Sequence, residues 1–235
     1  MTTTLDTGLR QRITTVQETI AAAAARSGRA ASSVRLVAVC KTVDRSAVDA
    51  AYALGLRSFG ENRVQDALAK FAEDVPSDLD LHMIGALQTN KARQVVGTFS
   101  LIHSLDRRSL ADELDRRASQ AGIVQPVLIQ VNVGREPQKH GCDVEGIPAL
   151  IEHTLARPAL ALRGFMTMAP LTATMEEARP VFVEMREIQA RMAARYLEAD
   201  LAELSMGMTN DYPAAIEEGA TLVRVGRAIF QDSRG

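Results

Sequence analysis

From Thr7 to Arg26 the apolar residues Leu9, Ile13, Val16 and Ile20 recur at steps of three and four, the stripe of an amphipathic helix, and Ser27-Gly28 ends it. Past residue 34 the pattern changes to short apolar runs separated by stretches of helical periodicity. The runs are Arg35–Cys40, Leu56–Phe59, Leu81–Ile84, Leu101–Ser104, Val127–Val133, Leu160–Met166, Glu203–Met206 and Leu222–Val225. The helices between them start near Asp44, Arg63, Thr89, Arg107, Asp143, Thr174 and Asp211. Eight strands, each reached through a helix, specify a parallel sheet with right-handed crossovers, and eight is the number that closes a (β/α)8 TIM barrel. A doubly wound open sheet fits the same alternation. No linker, low-complexity tract or repeat interrupts it. The expectation is one α/β domain, with residues 1–6 frayed, an extra N-terminal helix over 7–27 and the barrel over 35–231.

A chain of 235 residues suits one such barrel, which typically runs to roughly 250. Trp is absent and aromatics make up 4%, so Ala, Val, Leu, Ile and Met must fill the core. The net charge of −2, from 27 basic and 29 acidic residues, gives no basic excess to attract nucleic acid or a membrane surface. Cys40 and Cys142 have no paired Cys/His spacing around them, which argues against a zinc site and a disulfide framework. Ala21–Ala25 is too short and too weakly apolar to span a bilayer, and the start of the chain shows no basic stretch leading into an apolar one. These features point to the cytoplasm.

The chemistry gathers where the strands end, which in a barrel is the functional face. Lys41 follows the apolar run Leu36-Val37-Ala38-Val39-Cys40. Alternation puts Val37, Val39 and Lys41 on one face. If that face lines the lumen, Lys41 reaches the mouth as a partly desolvated amine able to attack an aldehyde. A lysine snorkelling to solvent fits the same position. After the seventh strand, Ser205-Met206-Gly207-Met208-Thr209 offers hydroxyls, a glycine for close approach and a helix N-terminus at Asn210-Asp211, all suited to a phosphate. Ordinary capping by Thr209, Asn210 or Asp211 explains the same residues. Gly226 gives a second close approach after the eighth strand. A phosphorylated aldehyde satisfies both ends of this mouth, with pyridoxal phosphate or a sugar phosphate as the candidates. Arg224 sits in the otherwise apolar Leu222-Val223-Arg224-Val225 and needs a partner there. Facing inward, it could donate to a pyridine nitrogen and keep it unprotonated, which weakens the ring as an electron sink. The competing role is a buried salt bridge to Glu61 or another carboxylate.

Six motifs carry a resemblance. They are Leu36-Val37-Ala38-Val39-Cys40-Lys41-Thr42, Phe59-Gly60-Glu61-Asn62-Arg63-Val64-Gln65, the segment His82-Met83-Ile84-Gly85 through Gln88-Thr89-Asn90-Lys91, Gly164-Phe165-Met166-Thr167-Met168, Leu204 through Asp211, and Val223-Arg224-Val225-Gly226. In this order and over residues 35 to 230, the chain resembles the pyridoxal phosphate homeostasis proteins, relatives of the alanine racemase N-terminal barrel. The resemblance implies a barrel without the racemase's second domain and a Schiff base between pyridoxal 5′-phosphate and Lys41. It implies Asn62 near the cofactor and Arg224 at the pyridine nitrogen. Phosphate contacts would come from Ser205, the backbone through Gly207, Met208 and Thr209, and Gly226. It also implies a protein that holds and buffers the cofactor with little or no catalysis, for the benefit of apoenzymes that require it. Two positions depart from the family pattern. Arg227 stands where a threonine usually follows the glycine, exchanging a hydroxyl for a charge. Gln138 stands where Ser or Thr usually precedes the lysine of the fifth loop, within residues 134–142. Cys40 replaces a commoner Ser or Thr and is expected to pack against the outer helices.

The alternative is a pyridoxal phosphate-dependent racemase or lyase. Racemisation needs a proton donor on each face of the substrate. Only Tyr52, Tyr196 and Tyr212 are available as tyrosines, and Tyr212 alone follows the phosphate loop. His82, His103, His140 and His153 show no spacing that pairs them with a nucleophile, and are expected to be structural or exposed. A Schiff-base aldolase is a third possibility. For assembly the expectation is a monomer or weak dimer.

Overall fold

The structure is a computed structural model and describes residues 2–136, 140–170 and 174–231, with side chains from residue 7 onward. Gln138 and Lys139 of the fifth loop lie outside the described residues, and the first helix begins at Thr2, ahead of the start at residue 7 expected from the sequence. Eight parallel strands close a barrel in sequence order: β1 (Arg35–Val39), β2 (Ser58–Glu61), β3 (Asp80–Met83), β4 (Leu101–Leu105), β5 (Gln125–Gln130), β6 (Leu160–Met166), β7 (Glu203–Met208) and β8 (Leu222–Val225). Pairing of β1 with β8, Arg35 opposite Leu222 through Ala38 opposite Val225, excludes the open sheet. The helices are α1 (Thr2–Arg26), α2 (Arg45–Ala53), α3 (Val64–Lys70), α4 (Ala92–Val95), α5 (Arg108–Ala121), α6 (Ile147–Leu155), α7 (Met175–Arg195), α8 (Tyr212–Glu217) and α9 (Arg227–Phe230). None is long and apolar enough to cross a membrane.

Alternation along the strands divides the core into two shells. Val37, Leu101, Leu128, Met166 and Leu222 form a small cluster inside the barrel. Ala38, Phe59, Met83, Ile102, Phe165, Met206 and Val223 belong to the larger cluster between barrel and helices. Polar groups complete the lumen, because His82, His103, Ser205 and Arg224 are all buried. Two strands are displaced from the runs that the apolar pattern picks out. β2 starts at Ser58 and ends on Glu61, since Leu56 packs in the outer shell before the strand begins. β5 starts at Gln125, whose buried amide donates to the Phe99 carbonyl (3.0 Å) and accepts from the Gly97 amide (3.2 Å). A polar residue opening a buried strand leaves no mark in a hydrophobic pattern.

The stripe on α1 is used as its spacing requires. Leu9, Ile13, Val16, Ile20, Ala23 and Ala24 are buried, and the helix packs on α8 and α9. Arg12 Nε donates to the Ile229 carbonyl at 2.7 Å, and Arg26 pairs with Glu217 at 2.6 Å. The first helix thus docks on its own barrel, over the two elements that follow β7 and β8. Truncating Ile13 to alanine is expected to lower the unfolding free energy by about 3 kcal/mol, measured by urea denaturation. A loss under about 1 kcal/mol would show that this face is not a packed interface.

Candidate functional site

The strand ends of β2, β1, β8 and β7 are consecutive around the barrel rim, and they carry most of the residues the sequence singles out. Asn62 is half-buried just beyond β2. A Cβ on Gly85 would come within 2.1 Å of the Asn62 carbonyl oxygen, so only glycine lets the β3 loop close against it. Lys41 lies in the turn after β1 and is exposed, with no hydrogen-bond or ion-pair partner among the described residues. The desolvated amine expected from the sequence is therefore corrected: β1 ends at Val39, and Lys41 stands past the last ladder position. Gly226, after β8, lies against β1, where a Cβ would sit 3.1 Å from the Val39 carbonyl oxygen. Arg227 is exposed and its Nη2 donates to Asn210 Oδ1 at 3.3 Å, which joins the β8 and β7 loops.

The backbone beneath Lys41 is fixed from outside the barrel. Lys70 Nζ, from α3, donates both to the Cys40 carbonyl and to Glu61 Oε1, each at 2.5 Å. Cys40 Sγ donates to Glu61 Oε1 at 3.3 Å. Glu61 is fully buried in this shell, which corrects its candidacy as the partner of Arg224. Cys40 packs among the outer-shell residues. Burial, reinforced by Glu61, pushes its thiol far above the ordinary range, and burial pushes Cys142 up to about 12. Both stay protonated, and neither is a nucleophile.

The loop after β7 is tighter than its sequence conveys. Gly207 has φ +92°, and a Cβ there would come within 2.6 Å of the Ala215 side chain of α8. Asp211 makes no capping bond to α8. Its Oδ1 folds back to accept from the Met208 amide at 2.5 Å. The Met208 N–H, expected to serve a phosphate, is thus already taken. Burial raises the Asp211 carboxyl above the usual range, against the opposing pull of Met208 N–H and Arg224. Thr209 is half-buried on the loop and has no partner among the described residues.

Ser205 is not on the rim. It is paired in register with Leu222 and Met166, inside the lumen, where it is fully buried. Arg224 Nη1 donates to its hydroxyl at 2.6 Å, and Arg224 Nη2 donates to the Thr167 carbonyl at 2.9 Å. Only two of the guanidinium's five N–H groups are engaged in these bonds. Arg224 has no carboxylate within ion-pair distance among the described residues, so neither form of the salt-bridge reading holds. Burial pushes its pKa down to about 10, which leaves it cationic at neutral pH.

Two residues that the sequence reading set aside belong to the lumen network. His103 Nδ1 lies 2.8 Å from Ser205 Oγ, and His103 Nε2 lies 2.9 Å from His82 Nδ1. The signal was there: each histidine interrupts an apolar run at an inward position. Burial, first among the causes, lowers His82 to about 3 and His103 well below its ordinary value. The tyrosines are accounted for elsewhere. Tyr52 bonds Asp78, Tyr196 donates to Glu152 (2.7 Å), and Tyr212 is buried in the outer shell.

Residues 15–234 match the family of the alanine racemase N-terminal domain. The pyridoxal phosphate homeostasis protein of Aquifex aeolicus is 43% identical over 224 residues, 95% of this chain and 98% of its own length. That of Pseudomonas aeruginosa is 41% identical over 225 residues, 93% of this chain and 96% of its own. The chain belongs to the pyridoxal phosphate homeostasis protein family. Among solved structures, Synechococcus elongatus PipY with pyridoxal phosphate bound superposes with a TM-score of 0.84 at 38% identity, covering 94% of this chain and 99% of that one. A D-threonine aldolase from Filomicrobium marinum shares the fold alone, at 13% identity and a TM-score of 0.73, covering 96% of this chain and 61% of that one.

Two outcomes test the geometry of this family member. Lys70→Met leaves Glu61 buried without its cation and should cost about 3 kcal/mol, most of it restored when Glu61→Leu is added. In a urea-denaturation series, a single substitution without effect would place the ion pair in solvent. His82 stays neutral in the folded protein down to about pH 3, whereas its unfolded value is near 6.5. Its stabilising contribution is therefore complete above pH 6.5 and declines as pH falls toward 3, because the unfolded chain takes up the proton first. The stability lost between pH 7 and pH 5 should shrink in His82→Gln, and an unchanged loss would contradict the buried neutral imidazole.

Proposed function

We propose that this protein binds pyridoxal 5′-phosphate covalently on Lys41 and serves its homeostasis, holding the cofactor for apoenzymes with little or no catalysis of its own. The observation that carries the reading is the unbroken arc of strand ends β2, β1, β8 and β7. Along it, an amine with no partner among the described residues, the Gly226 loop and the half-buried Thr209 follow successive strand ends. An aldehyde needs the amine, and a phosphate needs donors that have no other task. The amides opening α9 have no intrahelical acceptor, the Thr209 hydroxyl has no partner among the described residues, and Arg227 adds positive charge where relatives usually carry a hydroxyl. Thr209, Gly226 and Arg227 are accordingly the phosphate residues of this proposal. Gly207 shapes their loop, Met208 is tied to Asp211, and Ser205 acts from below as the acceptor for Arg224.

When bound, pyridoxal phosphate supplies an electron-withdrawing ring joined to a reactive carbonyl. This chain's residues restrain that chemistry. Arg224 presents its remaining N–H groups as permanent donors, so a ring nitrogen facing them stays unprotonated and draws electrons weakly. Asn62 bounds the other side of the arc. The three tyrosines hold structural posts, which leaves no phenol in the arc as the second proton donor of a racemase. A monomer or weak dimer is the proposed assembly, in keeping with a first helix whose apolar stripe is buried against its own barrel, and the cytoplasm is the proposed compartment.

Borohydride reduction of the protein loaded with pyridoxal phosphate should fix one cofactor mass on the peptide carrying Lys41, with loss of the visible absorption band. Lys41→Ala should show neither the band nor the adduct. Label on another lysine would sink the assignment. Rapid turnover of alanine or other amino acids would replace the binding role with an enzymatic one.

A further inference from the structure

The lumen contains a continuous hydrogen-bonded chain that runs down from Arg224 through Ser205 and His103 to His82, from β8, β7, β4 and β3. It ends at a cavity of about 220 Å3 on the opposite face of the barrel, bordered by Arg35, Asp80, His82, Ser100, Arg163 and Glu203. The chain has a direction, and donor chemistry sets it. A guanidinium has donors only, so Ser205 Oγ accepts from Arg224 Nη1. The hydroxyl has one proton left to give, and His103 Nδ1 at 2.8 Å is its acceptor. His103 then holds its proton on Nε2 and donates it to His82 Nδ1, 2.9 Å away. His82 in turn holds its proton on Nε2, the ring nitrogen left once Nδ1 is engaged, and the cavity it borders carries both carboxylates (Asp80, Glu203) and guanidiniums (Arg35, Arg163). Reversing the chain would give Ser205 two incoming donors and leave its own proton without an acceptor among the described residues. Protonating either imidazole would add a cation to a lumen already exposed to Arg224 and Arg35, the charges that act on His103 and His82.

We propose that His103 and His82 are positioning residues, held as neutral Nε2–H tautomers that fix the Ser205 hydroxyl as the acceptor of Arg224 and so aim the free N–H groups of that guanidinium at the cofactor's ring nitrogen. The aim toward the ring nitrogen rests on the binding role proposed above, whereas the tautomers and the hold on Arg224 do not. Ser205 has only one geometry that serves both neighbours, and His103 selects it. Without His103 the hydroxyl is free to rotate, and Arg224 keeps the Thr167 carbonyl as its single fixed partner.

The test has one arm without cofactor and one with it. In the cofactor-free protein, nitrogen-15 NMR of the imidazoles should show His82 and His103 neutral with the proton on Nε2 between about pH 5 and pH 8. An Nδ1–H tautomer at His103, or a protonated ring, would overturn the proposal. In the second arm, pyridoxal phosphate is added to the native protein, His103→Leu and His103→Gln. His103→Leu should shift the visible band and weaken binding by about tenfold, the equivalent of one hydrogen bond to a charged group. His103→Gln, whose side-chain oxygen can still accept from Ser205, should recover both. A folded His103→Leu protein with native band and affinity would defeat the positioning role. Should His103→Leu fail to fold, Ser205→Ala removes one oxygen and carries the same expectation. Failure of the native protein to take up the cofactor would refute the binding role instead, and the NMR arm would still decide whether the chain of tautomers exists.

Discussion

A permanent cation enclosed by a closed sheet must be satisfied by neutral groups when no carboxylate can reach it. Arg224 is 4% exposed and lies in the wall of the barrel, so its charge is answered by the Ser205 hydroxyl, the Thr167 carbonyl and the more distant Asp211. Much of the lumen follows from that need. The apolar interior cluster is small because the remaining inward positions hold the polar chain that serves Arg224. Asp211 is turned back into the β7 loop instead of capping α8, which keeps its negative charge near the guanidinium and closes the loop that carries Thr209. A weaker or neutral side chain at 224 would relieve the burial penalty but would leave the Thr167 carbonyl without its donor and Ser205 with His103 alone.

The second organising pair lies outside the barrel wall. Glu61 and Lys70 are both largely buried, and neither touches the mouth, yet Lys70 holds the carbonyl of the residue preceding Lys41. The amine at the rim is exposed and its stem is flexible, so its placement depends on the backbone from which it departs. Rigid support underneath and freedom at the tip suit the amine to the Schiff base proposed for it.

The barrel was legible in the sequence because all eight of its strands overlap apolar runs between helices, and β6 and β8 match their runs to the residue. β2 and β5 slid because buried polar residues, Ser58 and Gln125, open them. The rim was legible to the extent that strand ends are: Lys41, Asn62, Thr209, Gly226 and Arg227 fall where their positions in the chain put them. Depth inside a strand was not. Ser205 lies below the mouth, and a register shift between Ser205 and Met208 intervenes before the loop. The histidine chain could not be read at all from spacing, since its four members come from four strands that meet only when the sheet closes.

That closure has a temporal consequence. β1 pairs with β8, and α1 rests on α8 and α9, so the first and last described elements are fastened at the same seam. During synthesis the first strand and the first helix emerge long before their partners and must wait through nearly the whole length of the chain. The amine and the Gly226 loop become neighbours only when the final strand leaves the ribosome. A product terminated before β8 would therefore lack the strand that closes the sheet beside β1, and the strand ends that the proposed site needs would not meet.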